Sequence, residues 1–474
     1  MTEFGYWVAG KPGESAPTVY IRSPYNDAVA GRHGVPTAAE VEQAVAAADA
    51  ARAVTAAGSA ASRAAALQHV SRRITERAEE FAQLITAESG KPIVWSRVEV
   101  TRAAATFGWA AEEARRFSGT VQRLDTDAAG APRTALVRRV PRGPVLGITP
   151  FNFPLNLVAH KVAPAIAVGA PIVLKPAPAT PLTALLLGEL LAETDLPPGS
   201  WSVLPTDNEV AAQLVADPRL PVVSFTGSVP VGWGIAEAAP RKHVTLELGG
   251  NAAVVICPDW TELAEAATRV ATFAMYQAGQ SCISVQRVYV AREHYERFRE
   301  LLVAEVAALG TGDPADPATQ VGPLINPAAA ERVRAWVAEA VDAGARLLAG
   351  GPGEGSTVAP TVLADAPETS KVMAEEVFGP VVCVAPVDSV AEAFGRVNAS
   401  KFGLQAGVFT HDLRTAFAAS EQLDVGGVII GDVPSFRADQ MPYGGVKDSG
   451  VGREGPAAAM DDLTEPRVTV LPGG

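Results

Sequence analysis

From about Val145 onward, short runs of β-branched and apolar residues alternate with Ala/Leu-rich stretches that are long enough for helices. Each apolar run is closed by Gly or Pro, as is typical of buried strands. Strands that alternate with helices form parallel sheets with right-handed crossovers, so the pattern predicts an α/β fold. The predicted strands of this unit are residues 145–148, 171–174, 201–204, 222–225, 244–248 and 252–256.

The alternation restarts after Gln280, which indicates a second α/β unit. Its predicted strands are residues 286–291, 380–385, 406–410 and 427–430. Ahead of the first unit, the sequence predicts helices at about residues 37–57, 62–88 and 94–117, and the first of these opens with the capping box Thr37-Ala-Ala-Glu40.

Two segments, residues 118–139 and 464–471, belong to neither unit and are predicted to be exposed strands. Exposed strand edges pair readily with another chain, so we expect self-association as a homodimer or homotetramer. The alternative is that both are ordinary edge strands of the monomer.

The charge balance excludes several classes of partner. The 474 residues include 39 Lys+Arg and 52 Asp+Glu, which gives a net charge of −13. The sequence therefore has no basic stripe with which to bind nucleic acid or an anionic membrane surface. Residues 1–10 lack the pattern of a secretory signal, and no long uncharged apolar run follows, so we expect a cytoplasmic protein.

The three cysteines are too few and too scattered for a disulfide framework or a zinc cluster, and we expect no bound metal. Cys257 and Cys383 lie in or beside apolar strands, where a thiol is an inert core group. Cys282 lies between Gly279, which ends a helix, and a strand, so its thiol can reach a cleft. A single cysteine is nevertheless structural more often than nucleophilic.

A nucleotide-type turn is predicted at Gly227 and Ser228, which directly follow a strand and lead into a helix whose first N–H groups could bind a pyrophosphate. The segment from Gly310 to Ala315 is nearer to the Gly-x-Gly-x-x-Gly spacing, but it follows a helix and contains a proline, so we interpret it as a loop. Lys175 ends a neighbouring strand, at the edge where α/β sheets bind ligands, although a lone lysine at a strand end is usually solvated surface.

Two more polar residues stand at strand ends. Asn152 lies in a loop stiffened by prolines, where its amide either stabilises a developing oxyanion or forms an Asx turn. Glu247 interrupts an apolar strand, so it is either a desolvated general base or a carboxylate satisfied by backbone N–H groups.

Together these segments resemble the aldehyde dehydrogenase superfamily over nearly the whole chain, from about Pro24 to Leu471. The end of the chain around Met441 is also similar to bacterial lactaldehyde and phosphonoacetaldehyde dehydrogenase-like members. The resemblance rests on the spacing between Glu247 and Cys282 and on the segments Thr149-Pro-Phe-Asn-Phe-Pro154, Lys175-Pro176, Phe225-Thr-Gly-Ser228, Glu247-Leu-Gly-Gly250, Gly279-Gln-Ser-Cys282, Glu376-Val-Phe-Gly-Pro380 and Met441-Pro-Tyr-Gly-Gly445.

This resemblance implies an aldehyde dehydrogenase fold in three parts. A Rossmann-like nucleotide-binding domain would comprise residues 1–118 and 142–249, and an α/β catalytic domain residues 250–450. A small β oligomerisation element would comprise residues 119–141 and 464–474.

The implied reaction is the NAD(P)-dependent oxidation of a small-molecule aldehyde to its carboxylic acid. Cys282 would attack the carbonyl, and Asn152 and the Cys282 backbone N–H would hold the oxyanion of the thiohemiacetal. Glu247 would activate the water that hydrolyses the thioester.

The resemblance also assigns a cofactor site. Lys175 would contact the adenosine ribose, Ser228 the pyrophosphate and Glu376 the nicotinamide ribose, and Phe378 would pack near the nicotinamide. NAD-preferring members often have a Glu where this chain has Pro178, so the cofactor is NAD or NADP. The implied cofactor-binding residues are Thr149, Pro150, Phe151, Lys175, Pro178, Gly227, Ser228, Leu248, Glu376 and Phe378.

Members that act on anionic substrates often have an Arg immediately before the nucleophile, where this chain has Ser281. We therefore expect an uncharged aldehyde, apolar or aromatic. The expected pocket residues, whose aromatic members could instead belong to the core, are Phe153, Asn156, Trp109, Tyr276, Ser281, Ile283 and Phe436.

Three alternatives remain open at this point. A CoA-acylating member of the same family would typically lack the general base, whereas Glu247 is present. A non-catalytic member would have lost Cys282 or Glu247. A cysteine hydrolase would need a Cys–His pair, and none of the six histidines lies in a recognisable partner motif.

Overall fold

Helices follow most of the strands, as the alternating sequence predicts. The computed structural model describes residues 2–13 and 18–473. Met1, residues 14–17 and Gly474, which the predicted domain ranges include, lie outside the described residues. The described α-helices are α1 (Ala38–Ala57), α2 (Ala60–Glu76), α3 (Ala78–Ser89), α4 (Ile93–Arg116), α5 (Asn156–Val168), α6 (Leu182–Ala192), α7 (Asn208–Ala216), α8 (Val229–Ala238), α9 (Leu263–Met275), α10 (Arg292–Ala307), α11 (Pro327–Asp342), α12 (Lys371–Ala374), α13 (Val390–Asn398), α14 (Leu413–Gln422) and α15 (Pro456–Asp462).

The strands fall into two large sheets and three small ones. They are β1 (Glu3–Phe4), β2 (Tyr6–Val8), β3 (Lys11–Gly13), β4 (Thr18–Arg22), β5 (Val29–Gly34), β6 (Thr120–Arg123), β7 (Thr134–Pro141), β8 (Val145–Ile148), β9 (Ile172–Lys175), β10 (Trp201–Val203), β11 (Val222–Thr226), β12 (His243–Glu247), β13 (Ala253–Ile256), β14 (Arg287–Ala291), β15 (Arg346–Ala349), β16 (Thr361–Ala364), β17 (Val381–Val387), β18 (Phe402–Gly403), β19 (Gln405–Phe409), β20 (Gly427–Ile430), β21 (Val446–Lys447), β22 (Gly450–Val451) and β23 (Thr464–Leu471).

The first large sheet has the strand order β22-β12-β11-β8-β9-β10-β2-β3, and its five central strands are parallel. The chain runs from β8 outward through β9 and β10, then returns to the other side of β8 for β11 and β12. The strand order therefore reverses beside β8, and ligands bind at such a switch point, outside the carboxyl ends of the strands. The strand register brings the carboxyl ends of β8, β9, β11 and β12 to the same level. Ile148 pairs with both Lys175 and Phe225, and Thr226 pairs with Glu247.

The second large sheet has the order β15-β16-β17-β14-β13-β19-β20 and is parallel except for β15. Each large sheet has its own apolar core. A small third cluster of Ile283, Leu404 and Tyr443 packs against Cys282. These observations confirm the predicted α/β class, while the domain boundaries stay a prediction.

A three-stranded antiparallel sheet of order β23-β7-β6 joins the two segments that belong to neither unit. The prediction of exposed strands there is confirmed, since Val121 is 70% and Val468 57% exposed. Self-association through this sheet stays a prediction. None of the helices in the described residues combines the length and the apolar character that a bilayer crossing requires.

The predicted helix at residues 62–88 is wrong as a single element. It divides at Arg77, which ends α2 and precedes α3 with φ −104° and ψ 23°. The Arg77 guanidinium binds Glu80 and Glu189, and no Gly or Pro marks the break in the sequence. The strands of residues 3–34 were also not predicted from the sequence.

Candidate active site

One cavity of about 490 Å³ opens between the carboxyl ends of the first sheet and the loops of the second unit. Every residue that the sequence analysis assigned to catalysis or to the cofactor lines it. These residues are Cys282, Glu247, Asn152, Thr149, Pro150, Phe151, Lys175, Pro178, Gly227, Ser228, Leu248, Glu376 and Phe378.

A tight turn positions the loop that carries Cys282. Gln277, Ala278 and Gly279 have φ of 52°, 53° and 70°, so three consecutive residues are left-handed. A Cβ at Gly279 would overlap the carbonyl oxygen of Gly379, so only glycine fits at that position. This turn forms the last part of the 3₁₀ segment Tyr276–Gly279, and the chain continues from it to Cys282 in the wall of the cavity.

Cys282 is a free cysteine that is partly buried in the cavity wall. Burial raises the pKa of its thiol to about 12. Its Sγ lies 3.0 Å from the hydroxyl oxygen of Tyr443. The Cys282 backbone N–H makes no hydrogen bond with a described residue, so it remains available to an oxyanion.

Asn152 belongs to the loop between β8 and α5, and its side chain is buried. The Nδ2 donates to the carbonyl oxygen of Gln280 at 3.0 Å, and the Gln277 side-chain amide donates to the Asn152 carbonyl. The loop is thus bound directly to the segment that carries Cys282. Such a cross-brace holds an amide rigidly beside a nucleophile, which an oxyanion site requires.

Glu247 ends β12 with a buried carboxyl group, and neither of its oxygens has a hydrogen-bond partner among the described residues. Burial, reinforced by the negative charge of Glu454, raises the pKa of Glu247 well above its usual value. The alternative of a carboxylate satisfied by backbone N–H groups is therefore wrong for this geometry. An unpartnered carboxyl group with a raised pKa is a stronger base once ionised.

The groove above the first sheet fits a dinucleotide. Ser228 is the N-cap residue of α8, yet its side chain makes no capping hydrogen bond, so this helix N-terminus is open to an anion. Lys175 Nζ contacts Asn208 Oδ1 at 3.4 Å, and burial lowers the pKa of Lys175 to about 8. The lysine is therefore enclosed rather than solvated.

Glu376 and Phe378 reach this groove from the second unit. Glu376 accepts a hydrogen bond from the Gly250 N–H at 3.0 Å, and burial raises the pKa of this carboxyl group to about 7. Phe378 has φ of 48° and meets the Phe151 ring edge to face at 5.8 Å between centroids. A Cβ at Gly249 would overlap the Glu376 carboxylate, so this glycine leaves room for it.

The deep end of the cavity is lined by most of the expected pocket residues, with the Tyr276 hydroxyl donating to Ser281 Oγ at 2.8 Å. The expectation that Trp109 and Phe436 line the pocket is not met. Trp109 projects from a different face of α4 than the buried Phe107, and Phe436 is an exposed loop residue. The expected residues that line the cavity are Phe153, Asn156, Tyr276, Ser281 and Ile283.

Sequence reasoning did not select five ionisable residues that also line the cavity. The Arg437 guanidinium donates to Glu454 at 3.2 Å, and the Arg102 guanidinium is bound to the carboxylate of Asp439. Tyr443 stands in a segment that carried the resemblance, but no pattern indicated that its hydroxyl meets Sγ. The residues missed are Tyr443, Arg437, Glu454, Arg102 and Arg332.

Comparisons with known proteins agree with this geometry. Residues 7–469 match the profile of the aldehyde dehydrogenase family. The chain is 41% identical over 472 residues to 3-sulfolactaldehyde dehydrogenase of Priestia megaterium, covering 99% of this chain and 98% of the relative. Aldehyde dehydrogenase 21 of Physcomitrella patens, solved with the reaction product succinate, superposes with a TM-score of 0.98 at 43% identity, covering 100% of this chain and 98% of that one. NADP-dependent glyceraldehyde-3-phosphate dehydrogenase of Bacillus halodurans, complexed with NADP, gives a TM-score of 0.96 at 31% identity over the full length of both chains.

Proposed function

The chain belongs to the aldehyde dehydrogenase family, and from that premise we propose that Cys282, Asn152 and Glu247 carry out its chemistry. The protein is an NAD(P)-dependent enzyme that oxidises an aldehyde to the carboxylic acid. The observation that supports these roles is that the three side chains share one cavity with the groove that fits a dinucleotide.

In the first half of the reaction, the Cys282 thiolate bonds to the aldehyde carbon and the carbonyl oxygen becomes an oxyanion. The second N–H of Asn152 Nδ2 and the Cys282 backbone N–H hold this oxygen, because the first amide hydrogen is fixed on Gln280. The nicotinamide cofactor, when bound, would accept the hydride of the aldehyde carbon; as that C–H bond breaks, the oxyanion re-forms the carbonyl and leaves a thioester on Cys282.

In the second half, Glu247 takes a proton from a water molecule, whose oxygen attacks the thioester carbon. The C–S bond then breaks, the carboxylic acid leaves and the thiolate of Cys282 is restored. Since Glu247 is buried without a hydrogen-bond partner, no protein group competes with that water for its carboxylate.

For the cofactor, we propose that the site accepts both NAD and NADP. Pro178 lines the cavity and is exposed, so that position presents neither a carboxylate that would repel a 2′-phosphate nor a cation that would attract it. Lys175 and Ser228 supply the contacts that both cofactors share.

For the substrate, we propose an uncharged aldehyde, because two of the three arginines that line the cavity are already bound to carboxylates, and the third, Arg332, donates to the Val377 carbonyl. Arg102 binds Asp439 through Nε and Nη2 at 3.1 and 2.9 Å, and Arg437 binds Glu454.

A specific observation favours a second candidate, an aldehyde with an anionic tail. Arg102 Nη1 makes no hydrogen bond to a described residue, and relatives are named for 3-sulfolactaldehyde and solved with succinate.

The test is the initial rate of cofactor reduction without CoA, with NAD and NADP in parallel and Cys282→Ala as the control. Butanal and 4-oxobutanoate form a pair matched in length, with and without the charge. Turnover that disappears in Cys282→Ala supports the assignment, and turnover only after CoA is added contradicts the hydrolytic role of Glu247. A preference for 4-oxobutanoate that Arg102→Leu abolishes selects the anionic candidate.

A further inference from the structure

Tyr443 presents its phenol directly to the sulfur of Cys282. The two heavy atoms are 3.0 Å apart, within the range for a hydrogen bond that involves sulfur. The side chain is 3% exposed, so water cannot take its place without moving the ring. Neither the sequence patterns nor the three proposed catalytic roles use this hydroxyl group.

The backbone holds this ring in place. Tyr443 N donates to the Glu454 carbonyl at 3.0 Å, and Glu454 N donates to the Tyr443 carbonyl at 2.7 Å, which forms an isolated antiparallel bridge. Ile283 and Leu404 pack with the ring in the small cluster that also includes Cys282. The hydroxyl is therefore placed before any substrate arrives.

A cation covers the face of the same ring. The Arg437 guanidinium carbon lies 3.8 Å from the ring centroid, and this side chain is 6% exposed. Its Nη2 is anchored on Glu454 at 3.2 Å. A cation above an aromatic face withdraws electron density from the ring, and this makes the phenol O–H a stronger donor.

We propose that Tyr443 is a further catalytic residue, whose hydroxyl donates a hydrogen bond to Sγ and stabilises the thiolate of Cys282. The proposal rests on the proposed function, because it requires Cys282 to be the nucleophile. No proton crosses between the two groups: the phenol keeps its hydrogen, and the thiolate accepts the bond through a lone pair.

The charges around the pair explain why such a donor is needed. Burial and the carboxyl groups of Glu376 and Glu247 oppose the thiolate, whereas Arg437 and the Tyr443 hydroxyl favour it. Burial also raises the pKa of Tyr443 well above its usual value, which keeps the phenol protonated near neutral pH. Once the thiol has ionised, only the phenol carries a hydrogen, so the hydrogen bond then runs from oxygen to sulfur.

The experiment is the pH dependence of Cys282 alkylation by iodoacetamide, without aldehyde or cofactor, followed by mass spectrometry of the Cys282 peptide. Hydrogen bonds to charged groups contribute about 1.5–3 kcal/mol and one pKa unit equals about 1.4 kcal/mol. Tyr443→Phe should therefore move the profile about one to two units toward higher pH, which slows alkylation about 10–100-fold at a fixed pH below the thiol pKa.

Tyr276→Phe is the matched control, because its hydroxyl lies in the same cavity but binds Ser281 Oγ rather than Sγ. It should leave the alkylation profile of Cys282 in place. If Tyr443→Phe folds as the parent does, by circular dichroism and thermal melting, and its profile does not move, the proposal is overturned.

A second measurement does not depend on the phenylalanine variant folding. Fluorotyrosine at position 443 keeps the ring and makes the phenol more acidic, so the profile should move toward lower pH; an unmoved or opposite shift contradicts the proposal. Failure of the proposed function gives a different result, because the Cys282→Ala variant would then still oxidise aldehyde.

Discussion

Replacing Glu247 by glutamine should separate the two halves of the reaction. The amide has the shape of the carboxyl group, and the carboxyl oxygens have no hydrogen-bond partner among the described residues, so folding should be unchanged. Acylation of Cys282 does not use this base, whereas hydrolysis of the thioester does. The variant should therefore form the acyl-enzyme and then fail to release it.

The size of the expected rate loss follows from the role of Glu247 as a general base. A positioned general base accelerates its step by about 10²–10⁴-fold. Its loss therefore raises the barrier of deacylation by about 3–5 kcal/mol at 1.36 kcal/mol per factor of ten. We expect kcat to fall by that factor, while a rapid burst of about one reduced cofactor per chain precedes the slow phase.

The pH dependence supplies a second signature of Glu247. Because burial raises the pKa of this carboxyl group, the basic form becomes populated only as pH rises toward that pKa. Turnover of the parent enzyme should thus increase with pH wherever deacylation limits the rate. In Glu247→Gln the residual deacylation should lose this dependence.

Stopped-flow absorbance of the reduced nicotinamide measures both the burst and the steady state. Cys282→Ala should show neither phase, which confirms that the burst reports the thioester. Unchanged turnover in Glu247→Gln would refute the assignment of the base. Loss of the burst along with turnover, in a variant that still binds cofactor, would show that Glu247 is needed before hydrolysis.

Three further substitutions test separate parts of the structure. Asn152→Ala should lower kcat/KM about 10²–10³-fold without weakening cofactor binding in a fluorescence titration, and a change within about threefold would contradict its oxyanion role. Pro178→Glu should lower kcat/KM for NADP relative to NAD at least about tenfold, whereas Pro178→Gln should not; equal ratios would show that the adenosine ribose lies elsewhere. Lys91→Met breaks the buried pair with Glu99, whose side chains are 1% and 0% exposed, and should lower the free energy of unfolding by about 3–5 kcal/mol in urea; a loss below about 1 kcal/mol would refute the pair's importance.

The sequence located the sheets well because the relevant signals are local. Each apolar run that closed at Gly or Pro became a strand within one or two residues of its predicted ends. The capping box at Thr37 also starts α1 as expected, with Glu40 reaching back to it. Polar residues at strand ends could be assigned to one edge, because parallel strands all present their carboxyl ends on the same side.

Local signals fail where a contact joins distant segments. Tyr443 meets Cys282 across 161 residues, and no spacing rule predicts which side of a loop its hydroxyl faces. The break at Arg77 occurs without a helix-breaking residue in the sequence. Trp109 is different, because the buried face of α4 repeats through Ala103, Phe107 and Ala110, and that period already places the tryptophan elsewhere.

Glu247 and Glu454 both line the cavity with buried carboxyl groups, and their surroundings determine which of these two can act as the base. Glu454 accepts from Lys161 Nζ at 3.1 Å and from Arg437, so although burial opposes its charge, these cations hold its pKa well below the usual range. Glu247 has no such partner, and the charge on Glu454 further favours its protonated form. A carboxylate pinned by two cations is a poor proton acceptor, whereas an unpartnered one with a raised pKa is a good one. Glu454 thus holds Arg437 over the ring of Tyr443, whereas Glu247 is free to activate water.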